Sequence, residues 1–176
     1  MKKIIGAILI FATLIGALFT LNSCEKSGYK DYNEAGLHFR IPSDFRKFTI
    51  FGYDLHYSTP EAKFEVKILS KADIEDIELG YYISFNWSVK DYTEFLIKEN
   101  QWQCQYEYDE ARDVTTFFLL YAPPAESEEV AEYEYLYVTV LKNDVAFYIV
   151  VMSCEEELVS KYESKFKTWS TYLSAK

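Results

Sequence analysis

The chain has 176 residues, with 18 lysines and arginines against 28 aspartates and glutamates, a net charge of −10, and an aromatic share of 18%. A surface of that sign repels phosphate backbones and anionic headgroups, so nucleic acid is not an expected partner and flat adsorption to a membrane is disfavoured. The length suits one domain that buries roughly 70% of the surface its unfolded form exposes, with no staple required.

Residues 1–23 begin with Lys2 and Lys3, continue through uncharged, mainly apolar positions and end in small residues, which is the order of a secretory signal. About 20 apolar residues can also span a bilayer, so an uncleaved helix is the rival; either way the lysines stay inside and the remainder faces outward. The tetrapeptide Leu21-Asn22-Ser23-Cys24 separates the two. It resembles the bacterial lipobox, with Asn22 the one less usual occupant. The resemblance implies cleavage before Cys24, a diacylglyceryl thioether on its sulfur, acylation of the new amino terminus, and a domain facing the periplasm or cell exterior. One acyl chain gives marginal binding and two give stable attachment, at roughly 0.8 kcal/mol per buried methylene. Cleavage would remove two lysines and leave 16 basic against 28 acidic residues, a balance of −12. Lipid on Cys24 is therefore the expected means of holding the domain at a membrane.

Residues 24–34 are polar and aperiodic and read as a tether, with a single domain over 35–176. That domain opens with Leu37, Phe39 and Ile41 alternating with polar residues, a half-buried strand stopped by Pro42. Strands are predicted over residues 48–57 and 63–69, separated by Ser58-Thr59-Pro60-Glu61 as hairpin punctuation. Ser88 and Asp91 cap a predicted amphipathic helix that reaches about Asn100, with Val89, Tyr92, Phe95 and Leu96 on one side and Glu94 facing Lys98. Two hairpins follow, residues 102–108 with 114–121 and residues 132–141 with 145–152, so the sheet is expected to be largely antiparallel. The last strand is apolar at every position and should be central, covered on both faces. Ser153 and Glu156 read as a capping box for a final helix whose apolar stripe is Leu158, Tyr162, Phe166, Trp169 and Leu173.

The order of elements is similar to the PsbP-like fold. The matching pieces are residues 36–42, the strand around 64–69, the helix from Ser88, and the strand-to-helix unit over 145–173. The resemblance implies an α+β domain, a largely antiparallel sheet of about six to seven strands covered by helices on both faces, and an adaptor or accessory role. It carries over no ligand or partner position, because no diagnostic motif is present to map.

Residue chemistry points the same way. His38 and His56 sit in no metal-binding pattern, and no phosphate-cradling glycine loop or nucleophile elbow occurs. The acidic groups at Asp73, Glu75, Asp76 and Glu78, and at glutamates 126, 128, 129 and 132, lack calcium-loop spacing and read as solvated surface. No cofactor, metal or catalytic residue is expected. Cys104 and Cys154 make an even pair in an exported chain and invite a disulfide. Against this, two intervening strands would hold them about 14 Å apart, beyond the roughly 7 Å bridging limit. Tyr133, Tyr135 and Tyr137 share one strand face, either as a platform for a peptide or sugar or as sheet surface packed beneath a helix. The expected function is a non-catalytic, lipid-anchored envelope protein that binds a protein partner. The alternative is a binder of a small molecule or glycan in an aromatic cleft, and a hydrolase would need His38 or His56 beside a nucleophile.

Overall fold

The computed structural model describes residues 28–76, 82–122 and 133–176. Residues 1–23, expected as a signal, with Cys24, Glu78 and glutamates 126, 128, 129 and 132, lie outside the described residues. In chain order the elements are β1 (Tyr29–Glu34), β2 (Leu37–Pro42), β3 (Arg46–Phe48), β4 (Leu55–Ser58), β5 (Ala62–Ser70), α1 (Lys71–Glu75), α2 (Val89–Glu99), β6 (Glu107–Asp109), β7 (Val114–Tyr121), β8 (Glu134–Lys142), β9 (Ala146–Glu155), α3 (Val159–Ser170) and β10 (Ser174–Ala175).

Seven strands pair antiparallel in the order β3-β4-β5-β9-β8-β7-β6, and β1, β2 and β10 form a separate three-stranded sheet. β9, apolar from Ala146 to Met152, is the middle strand of the seven, as that composition demands. Its alternate residues feed two cores: Tyr148, Val150 and Met152 on one face, Phe147, Ile149 and Val151 on the other. α3 and the small sheet cover the first face, where Tyr162, Phe166 and Trp169 meet Leu37, Phe39 and Ile41 of β2. α2 covers the second through Val89, Tyr92, Phe95 and Leu96. Ser88 and Asp91 form the anticipated capping box of α2, and Thr93 fastens the helix to β7 by a buried 2.5 Å hydrogen bond with Thr115. Each helix thus hides one apolar stripe against one sheet face, which is what makes a two-layer core on either side of a single sheet stable.

Several expectations are corrected. The second half of the tether, Tyr29–Glu34, is a strand in full register with β2, closed by a two-residue turn with positive φ at both Ala35 and Gly36. The strand expected over 48–57 is two short strands, β3 and β4, joined by the exposed residues 49–54. The strand expected over 102–108 shrinks to Glu107–Asp109, because Gln101 takes a positive φ at the end of α2 and residues 102–106 run outside the ladder. Glu94 accepts from the Tyr106 hydroxyl at 2.7 Å instead of facing Lys98. Ser153 caps no helix: it lies inside β9, paired on both sides with Lys63 and Leu136, and α3 is entered through a 3-10 turn at Glu156–Leu158 with no side-chain cap. A residue held in ladders on both edges cannot also adopt the cap geometry.

Candidate functional site

The tyrosine row divides by burial. Tyr135 and Tyr137 are buried on the α3 face, with Tyr135 stacked on Phe166 at a centroid distance of 6.4 Å, while Tyr133 is half exposed. The row is thus mainly sheet surface packed beneath α3, and the platform reading is corrected for its two inner members. Burial, with Glu163 nearby, pushes the Tyr135 hydroxyl up to about 12, and that hydroxyl has no hydrogen-bond partner among the described residues.

What α3 leaves uncovered is the outer part of the same face. The helix packs on β8, β9 and β2, so the β7 residues that share this face lie beyond it. Phe118 pairs in register with Tyr137 and Leu120 with Tyr135, yet Phe118 is 54% and Leu120 48% exposed. Between this strip and α3 runs a cleft of about 340 Å³, bordered by Tyr108, Arg112, Phe118, Tyr137, Lys167 and Thr171. Its two cations are already engaged. Arg112 donates to the carbonyls of Ser170 and Leu173 at 2.8 and 2.9 Å and so caps the end of α3, and Lys167 pairs with Glu163 at 2.7 Å. The groove therefore offers apolar area, a tyrosine floor and the exposed carboxylate of Glu107 at its border.

The two histidines lie elsewhere. His38 is part-exposed, with Nδ1 3.1 Å from Asn33, as its alternation on β2 suggested. His56 on β4 is buried, its Nδ1 2.9 Å from the Glu65 carboxylate of β5. The Phe48 ring stands edge-on to it at 6.2 Å. Tyr53 completes this cluster: burial first, then the Glu65 charge and a hydrogen bond to it, push its hydroxyl up to about 12. Among the described residues no serine, threonine or cysteine side chain hydrogen-bonds either histidine, so neither stands beside a nucleophile. No group of three or more His, Cys, Asp or Glu able to hold a metal occurs among the described residues.

Both cysteines are free, which corrects the disulfide. Cys154 belongs to the core on the α3 side and Cys104 packs against the core on the α2 side, so the sheet itself separates them. Burial raises both thiols, Cys154 to about 11, which disfavours the reactive thiolate.

No protein-family model matches the sequence, and no curated protein matches it. Among solved structures the chain is similar to the cyanobacterial PsbP protein CyanoP of Synechocystis sp. PCC 6803, with a TM-score of 0.54 and 11% identity over 88% of this chain and 96% of that one. The fold is PsbP-like. The chain is also similar to the Ran-binding protein Mog1p of Saccharomyces cerevisiae, with a TM-score of 0.50 and 9% identity over 85% of this chain and 96% of that one. At such identities the likeness concerns the PsbP-like fold alone, and the site must be argued from this chain's own residues.

Sequence reasoning missed Phe118 and Leu120. Their signal was present in Phe117-Phe118-Leu119-Leu120, a run apolar on both faces like that of β9. The run identifies a strand with two apolar faces, but not which face lacks a covering helix.

Proposed function

We propose that this protein is a non-catalytic, lipid-anchored envelope protein whose PsbP-like domain binds a protein partner along the groove between α3 and β7. The observation that carries the reading is the strip formed by Phe118, Leu120 and Tyr133, three large apolar side chains about half exposed, with Phe118 bordering a cleft whose cations, Arg112 and Lys167, are engaged within the domain. Contiguous exposed apolar area of this kind costs solubility unless something covers it, and recognition surfaces draw on aromatic residues for that purpose. The lipobox around Cys24 supports placement at a membrane with the domain facing outward. That Mog1p is a Ran-binding protein is consistent with a partner-binding role for such a domain.

A photo-cross-linking residue in place of Phe118, installed in the protein in its own envelope, tests this. A dominant cross-linked protein whose yield falls when Leu120→Asp is added is the expected result. A pattern indifferent to Leu120→Asp would overturn it.

A small ligand is the second reading, favoured by a cleft volume near the lower end of the range for ligand pockets, roughly 300–1,000 Å³. In that case Tyr108→Ala, at the cleft wall, would abolish binding while Leu120→Asp would not.

A further inference from the structure

The β3–β4 connection carries the other concentration of exposed apolar side chains. Phe48, Ile50 and Tyr53 are 50%, 42% and 39% exposed, and Phe51 is 102% exposed, as open to solvent as in an extended peptide. Residues 49–54 link two strands at the very edge of the large sheet, and Gly52, with φ of +95°, turns the tip with open space where a β-carbon would stand. Ile50 and Phe51 stand at this tip, while Phe48 and Arg46 at its base border a shallow pocket with Asp44, Ser58 and Pro60. Arg46 and Lys47 flank them, both exposed, and Arg46 has no carboxylate partner among the described residues.

The charge of the chain is partitioned along its length around this tip. Residues 25–54 hold five basic side chains (Lys26, Lys30, Arg40, Arg46, Lys47) and five acidic ones (Glu25, Asp31, Glu34, Asp44, Asp54), a balance of zero. Residues 55–176 hold 11 basic and 23 acidic side chains, a balance of −12. The objection that an acidic protein is repelled by an anionic surface therefore applies to most of the domain but not to this part of it. The tip is joined to the end of β1 remote from Cys24, where Lys47 and Tyr57 both contact Glu34. Five residues from Cys24 to Tyr29 reach at most roughly 18 Å, so a lipid on Cys24 would keep the near end of β1 within that distance of the bilayer, and the tip would meet the bilayer with β1 lying along its surface.

We infer that Phe48, Ile50 and Phe51 form a second membrane contact, inserting into the interfacial region of the bilayer with Arg46 and Lys47 at the level of the lipid phosphates. The inference rests on the lipid-anchor reading for its orientation argument. A bilayer fits a convex apolar tip ringed by cations, since it needs no shape complementarity and supplies anionic phosphate beside apolar tails. Insertion would fix the orientation of the domain, with the acidic part and the α3–β7 groove, at the other side of the sheet, turned toward the aqueous phase.

The test uses the full chain with a tryptophan at Phe51→Trp, or at Phe118→Trp as a matched probe on the distant side of the sheet. Each is measured against the parent protein in phosphatidylethanolamine and phosphatidylglycerol vesicles with brominated acyl chains. Quenching of the added emission at 51 by about twofold or more, with none at 118, is expected, and Phe51→Ser should weaken vesicle binding of unlipidated protein roughly tenfold or more. No quenching at 51 in vesicle-bound protein overturns the inference. So does shielding of the 51 probe from aqueous iodide in native envelopes without quenching by brominated lipid, which would assign the tip to a protein partner. The mass of the amino-terminal fragment scores the anchor separately: absence of lipid on Cys24 defeats the anchor reading, while quenching of protein added to the same vesicles still decides the insertion.

Discussion

Gly36 closes the first hairpin directly against the hydroxyl of Tyr148, which donates to the neighbouring carbonyl of Ala35 at 3.1 Å. A β-carbon at position 36 would overlap that hydroxyl, whereas the ring carbon that bears it would be 3.6 Å away, an ordinary contact. Asn143 donates to the same hydroxyl at 3.2 Å and to the Lys176 carbonyl at 2.6 Å, so β1–β2, β9 and the carboxyl terminus meet at this point.

Gly36→Ala should therefore destabilise the domain by about 2–4 kcal/mol, combining the φ of +79° with loss of the Tyr148 hydrogen bonds. Urea unfolding is the measurement. Because the clash is with the hydroxyl, Tyr148→Phe should absorb part of the cost, and a double mutant no better than the sum of the singles would refute this account.

His56→Ala should leave the buried Glu65 side chain without its imidazole hydrogen-bond partner and cost roughly 1–3 kcal/mol, the usual penalty for an unsatisfied buried polar group. Replacing both residues by leucine should cost clearly less than His56→Ala alone. Equal losses in the two variants would mean that the pair is unimportant and only the packing of His56 matters.

Asp91 is held below its ordinary value of 3.8 by the Ser88 hydroxyl and the Ser88 backbone N–H. A depressed folded-state value stabilises above the unfolded carboxylate range and is lost as pH falls through the folded value. Asp91→Asn should weaken the domain near neutral pH and flatten its stability profile below about pH 4. Parallel profiles for the two proteins in acid unfolding would contradict this.

Native protein should contain two free thiols that alkylate slowly at pH 8, since burial raises both and carries Cys154 to about 11. Unfolding should release both to rapid alkylation. Detection of a Cys104 to Cys154 bridge by mass spectrometry under non-reducing conditions would run against the placement of these residues on opposite sheet faces.

The elements legible in the sequence are those whose burial is complete or whose caps are local. β9 announces a central position because no residue from Ala146 to Met152 suits water, and α2 announces its first residue because Ser88 and Asp91 satisfy each other within one turn. β1 reads as tether because residues 25–34 are polar and aperiodic, and the turn at Ala35-Gly36 that pairs it with β2 has only one glycine at its two positive-φ positions. The strand before β6 was overextended because alternation in residues 102–106 reflects packing of Trp102, Cys104 and Tyr106 against the α2-side core without any ladder.

The candidate surfaces show the same division. The amino-acid sequence by itself determined an acidic chain with a lipobox-like Cys24, two apolar helical stripes, and strands that belong to a mostly antiparallel sheet, because period, charge and capping are local properties. Only the tertiary structure decided which apolar faces stay open: α3 reaches β8 but not the outer face of β7, so Tyr135 and Tyr137 are covered while Phe118 and Leu120 remain exposed. Exposure depends on where a covering element ends in space, and no spacing along one strand records the reach of a helix some forty residues further along the chain.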